Sequence, residues 1–372
     1  MIKVGITGQD GFVGKHLYHT LGLYPDEFLR VEFQRDFFEN DNKLDAFVSQ
    51  CDVIVHLAAM NRHESQEVIY ETNVSLVQKL VDSLERTNSK PHILLSSSSQ
   101  EERDNLYGKS KKESRELVAN WAEENNAIFT GLIIPNVFGP FGKPFYNSVV
   151  ATFCHQVSHN EMPKIDVDGD LKLIYVGELV QEIIAQIRTK NNQPKLEIQH
   201  ASEKKVSEIL ALLQNYKSEY QDKGSIPIVA STFELNLFNT FRCYMDIANY
   251  FPVKLTQHTD DRGSFVEIIR LEVGGQVSFS TTKPNITRGN HFHTRKIERF
   301  AVIKGKALIQ LRKIGTDEVL NFELNGYEPA YVDMPIWYTH NIKNIGDDIL
   351  YTNFWINEFF NPNDADTYFE EV

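Results

Sequence analysis

The first fourteen residues constrain this chain more than any other stretch. Ile2–Ile6 is a short apolar run that feeds directly into Thr7-Gly8-Gln9-Asp10-Gly11-Phe12-Val13-Gly14. A buried strand ending in Gly-x-x-Gly-x-x-Gly ahead of a helix forms a backbone cradle for a pyrophosphate. The glycines permit a tight turn, close approach of the phosphate and close helix–strand packing, and the helix N-terminus faces the anion. Glycines alone would serve equally as a plain strand–helix turn, so the context of Gly8, Gly11, Phe12, Val13 and Gly14 decides the reading.

That context is an alternation of elements. Leu29–Phe33, Val53–Leu57, Ile93–Ser96 and Phe129–Ile134 read as further strands, and Val74–Arg86 and Lys109–Glu124 read as helices between them. Strands alternating with helices predict an α/β, Rossmann-type, doubly wound parallel sheet. The end of the second strand reads the adenosine ribose. An acid there favours the 2′-hydroxyl of NAD, and an arginine favours the 2′-phosphate of NADP. Val31-Glu32-Phe33-Gln34-Arg35-Asp36 offers both, and Arg35 points to NADPH.

Tyr107-Gly108-Lys109-Ser110-Lys111 places a phenol and an ammonium four residues apart, on one face of a helix. An ammonium beside a phenol favours the phenolate and brings the tyrosine into a useful range for proton transfer. Upstream, the strand ending Leu95-Ser96-Ser97-Ser98-Ser99 supplies a serine for the same oxygen. Tyr-x-x-x-Lys alone also fits an ordinary surface helix pair. With the glycine loop and the serine strand in this order, it reads as chemistry.

From about residue 246 the texture changes. Asp260-Asp261-Arg262-Gly263 and Gly274-Gly275 punctuate short β-branched and aromatic segments: Val277–Thr281, Phe300–Ile303, Ala307–Arg312, Ala330–Val332 and Leu350–Trp355. Many short strands with turns between them predict a sandwich or barrel. The expected domains are 1–245 and 246–372. Within the second, His291-Phe292-His293 and Glu298 are followed by His340. On a strand, His291 and His293 point to one side. Three imidazoles and a carboxylate suit a divalent ion such as zinc, nickel or iron.

Ser98, Tyr107 and Lys111 give residues 1–245 a resemblance to the extended short-chain dehydrogenase/reductase family, whose members act largely on nucleotide sugars. The resemblance implies a catalytic serine at Ser98, an acid/base at Tyr107 and a supporting lysine at Lys111, which also holds cofactor. It further implies that Leu57, Ala58, Ala59 and Asn73 line the cofactor. Pro135-Asn136-Val137-Phe138-Gly139 resembles the family's substrate-side motif, which makes Asn136 a substrate contact. Dehydratases of the family carry Thr-Asp-Glu where this chain has Ser98-Ser99-Gln100, so reduction or epimerisation is expected rather than dehydration. Glu298-x6-Gly305 and Pro335-x-Trp337-x2-His340-x3-Asn344 resemble the two motifs of the cupins, a double-stranded β-helix or jelly-roll family. Trp337 stands where that pattern has glycine. The resemblance implies His291, His293, Glu298 and His340 as metal ligands, with zinc the expected ion.

The bulk composition narrows the partners. A formal net charge of −13 disfavours nucleic acid and anionic membrane surfaces. Cys51, Cys154 and Cys243 are odd in number and far apart, which fits a reducing cytoplasm. The N-terminus reads as lacking a signal peptide, and no run of about 18 apolar residues predicts a membrane span.

The order of the two domains resembles the two-domain enzymes of capsular polysaccharide synthesis. That resemblance implies a homodimer acting on a UDP-sugar. The cupin would invert carbon 3 of a 4-keto-6-deoxy-N-acetylhexosamine, and the reductase would then reduce the 4-ketone with NADPH. His258, Tyr338 and Lys296 stand as candidate bases for the inversion. The rival expectations are a 4-epimerase that recycles tightly held NAD beside a structural cupin, a redox-sensing or scaffold protein, and a cupin that mainly forms a dimer interface.

Overall fold

Runs of consecutive apolar residues become the central strands of a parallel sheet in the computed structural model of the chain. It describes residues 1–261, 263–271 and 273–372, the side chain of Phe265 aside; Arg262, in the turn expected at 260–263, lies outside the described residues. Two compact units form: residues 1–152 with 169–205, and residues 153–168 with 206–372. Residues 153–168 and 206–245, which the sequence reading placed with the first domain, therefore pack within the second unit.

The first unit contains β1 (Ile2–Thr7), α1 (Phe12–Leu21), β2 (Phe28–Val31), α2 (Asp41–Val48), β3 (Val53–His56), α3 (Gln66–Thr87), β4 (His92–Ser98), α4 (Leu106–Asn125) and β5 (Phe129–Ile134). β6 (Asn136–Phe138) follows, and α5 (Val149–Ser158) begins in this unit and runs on into the other. β7 (Asp170–Tyr175), α6 (Val176–Thr189), β8 (Gln193–Glu197) and β9 (Ser202–Lys205) complete it. Six parallel strands lie in the order β2-β1-β3-β4-β5-β8. β3 and β5 are buried along their whole length. Alternate strand residues feed two cores. Val4, Ile6, Val53, Val55 and Leu94 pack with Leu17 and Leu21 of α1 and Leu179 and Ile183 of α6. Ile54, Ile93, Leu95 and Phe129 pack with Phe47, Leu80, Leu84 and Trp121 from α2, α3 and α4. The strand order turns back between β1 and β3, and ligands of such sheets sit beyond the carboxyl ends of the strands at that point.

Helix ends follow local chemistry. The Ser65 side chain accepts from Val68 N at 3.2 Å and starts α3 eight residues before the apolar periodicity begins. Asn105 accepts from Gly108 N at 2.7 Å and starts α4, which places Tyr107 in its first turn.

The second unit carries α7 (Val206–Tyr216), α8 (Thr232–Arg242) and α9 (Ile247–Tyr250), then, among the described residues, twelve strands. These are β10 (Val253–Lys254), β11 (Gln257–Asp260), β12 (Gly263–Val266), β13 (Gln276–Thr282), β14 (Thr287–Phe292), β15 (Glu298–Lys304) and β16 (Lys306–Lys313). β17 (Val319–Asn325), β18 (Ala330–Met334), β19 (Tyr338–Asn344), β20 (Leu350–Ile356) and β21 (Tyr368–Phe369) follow. Two five-stranded sheets, β10-β18-β15-β20-β13 and β17-β16-β19-β14-β21, form an antiparallel cupin-like domain. Val302, Ile309, Leu311, Phe322, Val332 and Ile342 are in its core. The segment 217–242 docks on it through polar contacts to a buried ion pair and its neighbour. Arg299 holds Asp333 by two contacts of 2.7 and 2.9 Å, Tyr220 donates to Asp333 at 2.7 Å, and Arg242 donates to the Met334 carbonyl at 3.0 Å.

Candidate functional site

The glycine loop closes as its spacing requires. Gly8 is left-handed (φ +78°), and a Cβ there would lie 2.7 Å from Ala58 N; one on Gly14 would lie 2.2 Å from the Gly8 carbonyl. Gly11 caps α1 without a side-chain hydrogen bond. The first turn of α1 thus presents backbone N–H groups at the strand ends, where anions bind. The side chains of Phe12 and Val13 turn to packing: Phe12 meets His16 edge-on at 5.6 Å, and Val13 lies against the core. Leu57 N donates to the Thr7 carbonyl at 3.0 Å, which brings 57–59 beside the loop. Asn73 reaches this segment by clamping Met60, accepting from its N at 2.7 Å and donating to its carbonyl at 3.1 Å. Arg35 is exposed in a short 3-10 turn after β2. Its acidic neighbours are engaged: Asp36 with Lys43 at 2.6 Å, and Glu32 with Gln34 at 2.7 Å.

Ser98 ends β4, and Tyr107 and Lys111 lie on α4. Lys111 is buried and donates to the Ser96 carbonyl at 2.8 Å. Burial pulls its ammonium down to about 8, against the upward pull of Glu101. The expected lowering of the tyrosine is not what the chain alone produces. Burial pushes the Tyr107 phenol up, and the Ser98 hydroxyl's hydrogen bond pulls the other way. The Tyr107 hydroxyl donates to Asn61 Oδ1 at 3.2 Å. Asn61 was invisible in sequence, because nothing in its spacing marks it; it follows the 57–59 segment by two residues. Glu101, next to the stretch where dehydratases carry their acids, is held by Arg115 at 2.9 and 3.0 Å and by Ser97. It is a structural ion pair. Asn136 is exposed on β6 and donates to the Lys172 carbonyl at 3.1 Å.

In the second unit His291, His293, Glu298 and His340 converge, with ligand atoms all within 4.8 Å of one another. His291 and His293 do not share one strand as expected. β14 ends at Phe292 and bulges between Gly289 and His291, so His293 lies beyond it. Glu298 opens β15, and His340 is on β19, paired with His291. His293 Nδ1 faces the Asp366 carbonyl, and His340 Nδ1 faces the Tyr338 carbonyl at 3.2 Å. A carbonyl only accepts, so Nδ1 carries the proton and Nε2 offers its lone pair. Those two Nε2 atoms lie 3.1 and 3.2 Å from Glu298 Oε2. All three are buried without a hydrogen-bond partner. Acceptors gathered on one point call for a cation between them, a proton or a metal. Burial alone would raise the Glu298 carboxyl, but with a proton on His293 and His340 the two imidazoles outweigh it and hold it well below the usual range. Burial, then the neighbouring imidazoles, brings His291 down to about 4, which keeps it a neutral ligand. The donor set fits a borderline divalent ion.

Of the candidate bases, Lys296 is buried and donates to the Ala365 carbonyl, burial pushes the Tyr338 phenol up, and His258 is exposed on β11.

A parallel α/β unit with this loop and this Ser–Tyr–Lys set defines an enzyme of the nucleotide-sugar reductase and epimerase class that uses NAD(P). The chain belongs to the NAD dependent epimerase/dehydratase family, which residues 4–199 match; residues 258–368 match the Polysaccharide biosynthesis C-terminal domain. Over 373 positions it is 31% identical to a UDP-2-acetamido-2,6-beta-L-arabino-hexul-4-ose reductase of Pseudomonas aeruginosa, covering 99% of this chain and 98% of that one. It resembles the crystal structure of the capsular polysaccharide assembling protein CapF of Staphylococcus aureus at 36% identity, with both chains fully covered and a TM-score of 0.63. A UDP-glucose 4-epimerase of Thermotoga maritima shares the fold over 65% of this chain and 98% of its own, at 17% identity and a TM-score of 0.55. Among the described residues no helix is long and apolar enough to cross a membrane.

Proposed function

We propose that this chain makes a UDP-N-acetyl-6-deoxy-L-hexosamine of the talose type for surface polysaccharide. The C-terminal domain inverts carbon 3 of a UDP-4-keto-6-deoxy-N-acetylhexosamine, and the N-terminal domain reduces the 4-ketone with NADPH. The observation that carries this reading is that one chain holds both Tyr107, hydrogen-bonded to Asn61 beside Ser98 and Lys111, and the four converging ligands. The 4-keto reductase and CapF relatives, each aligned over nearly the whole chain, support it.

In the reduction, NADPH supplies the hydride when bound. Tyr107 holds the proton that the developing alkoxide takes, Ser98 orients the carbonyl oxygen, and Lys111 supports Tyr107 electrostatically. Arg35, whose acidic neighbours are engaged elsewhere, takes the 2′-phosphate. In the second domain His291, His293, Glu298 and His340 would hold zinc, which polarises a ketone oxygen when bound. The protein's own part there is to keep His293 and His340 in the tautomer that offers Nε2. A ketone acidifies the neighbouring carbon–hydrogen bond, so inversion at carbon 3 needs only proton transfer on the two faces.

The test is NADPH oxidation with that keto sugar. Wild type turns over; Tyr107→Phe loses about 10²–10⁴-fold. His291→Ala still reduces but gives a product unchanged at carbon 3. Deuterium from solvent enters carbon 3 without NADPH in wild type and in Tyr107→Phe, but not in His291→Ala. No net oxidation of NADPH by wild type overturns the reading in favour of a 4-epimerase that recycles NAD.

A further inference from the structure

The end of the chain returns over the loop that carries the cation ligands. After β20 it runs to the short strand β21, which pairs with β14 at Phe292–Tyr368 and His291–Phe369. Just before β21, Asp366 is buried with a left-handed backbone (φ 41°). Its carboxylate accepts four hydrogen bonds. Oδ1 takes Thr294 N at 3.0 Å and Thr294 Oγ1 at 2.6 Å, and Oδ2 takes Arg295 N at 3.0 Å and Lys296 N at 3.1 Å. Its carbonyl takes the Nδ1 proton of His293. On either side, Asp364 pairs with Arg295 at 2.9 Å, and Glu370 N donates to the Asn290 carbonyl at 3.1 Å.

Thr294, Arg295 and Lys296 are three of the four residues between His293 and Glu298. Their N–H groups point into one carboxylate, which fixes the turn that brings those two ligands together. One residue therefore sets both the tautomer of His293, through its main chain, and the shape of the ligand loop, through its side chain. A buried carboxylate with four donors is strongly held. Outer partners of metal-binding histidines tune affinity because they remove the freedom that the ligands would otherwise lose on binding.

We propose that residues 364–371 are a clasp on the cation centre, with Asp366 as its positioning residue. Docking of the clasp and binding of the metal then favour each other, by the same factor in each direction. This rests on the metal reading above.

The experiment adds zinc alone to the metal-stripped full chain. Affinity is read by competition with a chromophoric chelator, and amide exchange is followed by mass spectrometry. Wild type is expected to bind one zinc per chain. The amides of Thr294, Arg295, Lys296 and Glu370 should exchange at least about tenfold slower with zinc, while those of β16 hold their rate. Asp366→Asn should bind zinc about 10–100-fold more weakly and lose the zinc-dependent protection of Glu370. If that variant does not fold, the exchange experiment on wild type decides by itself. Zinc binding with unchanged exchange at those four amides overturns the clasp while leaving the metal centre standing, and so does wild-type affinity in Asp366→Asn. No zinc binding by wild type overturns the metal reading and the clasp with it.

Discussion

The ring of Trp337 stacks on that of Phe292, with centroids 5.5 Å apart and planes 29° from parallel, although the backbone at Trp337 is left-handed (φ 61°). The cupin pattern has glycine at this position, and the backbone explains why. Left-handed geometry costs a side chain about 1–2 kcal/mol, whereas removing a buried tryptophan side chain costs about 3–5 kcal/mol. Trp337→Gly is therefore expected to lose about 1–4 kcal/mol despite relieving the backbone. Urea unfolding checks it; a variant as stable as wild type would mean the buried side chain contributes no more than the strain it offsets.

Lys111 gives a stability change with a definite sign. Its folded pKa, about 8, lies below the ordinary 10.5. Below pH 8 both states are charged and the folded state carries the whole burial penalty. Between pH 8 and 10.5 the folded lysine loses its proton while the unfolded one keeps it, so stability rises with pH. At about 1.4 kcal/mol per pH unit, wild type should gain about 3 kcal/mol relative to Lys111→Met across that window. Denaturant unfolding of the pair, at several pH values, measures the difference and cancels the other titrating groups.

His56 works in the acid range. It faces Thr7 Oγ1 at 2.9 Å, and burial, then the charge of Lys111, pulls it down to about 3 from an ordinary 6.5. Its contribution is complete above pH 6.5 and is lost as pH falls toward 3, because only the unfolded state takes up the proton. Wild type is expected to lose about 3 kcal/mol more than His56→Gln between pH 6.5 and 4.5. Equal losses would show that the buried imidazole protonates normally.

Asn61 should reveal itself in a pH–rate profile. Asn61→Ala removes one hydrogen bond to Tyr107 and should lower kcat about 3–10-fold. Asn61→Asp sets a carboxylate near the phenol, which opposes the phenolate and moves the alkaline limb to higher pH. A profile for Asn61→Asp identical to wild type would separate Asn61 from the proton donor.

The preference for NADPH proposed above is tested at Arg35. Arg35→Ala should weaken NADPH about 10–100-fold, the value of a charge-assisted contact, and leave NADH nearly unchanged. KM values for the two cofactors decide; a parallel loss of both would place Arg35 in general stability instead.

Much of this was legible because it is local. The strand–glycine–helix start needs only neighbours in sequence, and so does the i, i+4 relation of Tyr107 and Lys111. Strand ends shifted by a residue or two, as at β2, because edge strands are polar on one side. The start of α3 was missed because its first turns are polar and only the Ser65 cap marks it. Asn61, Arg115 and Asp366 were missed for a different reason. Each acts on a partner 14 to 73 residues away in the chain, and spacing along a sequence carries no sign of such pairings.

The chain passes between its two compact units three times, at 152/153, 168/169 and 205/206. No single peptide bond therefore divides one unit from the other. A fragment ending at residue 245 would carry Tyr220 and Arg242 without Asp333, and the complementary fragment would carry the Arg299–Asp333 pair without Tyr220 and Arg242. The two units are woven from one thread, so they are synthesised in equal number and neither can be shed or exchanged by a simple genetic cut.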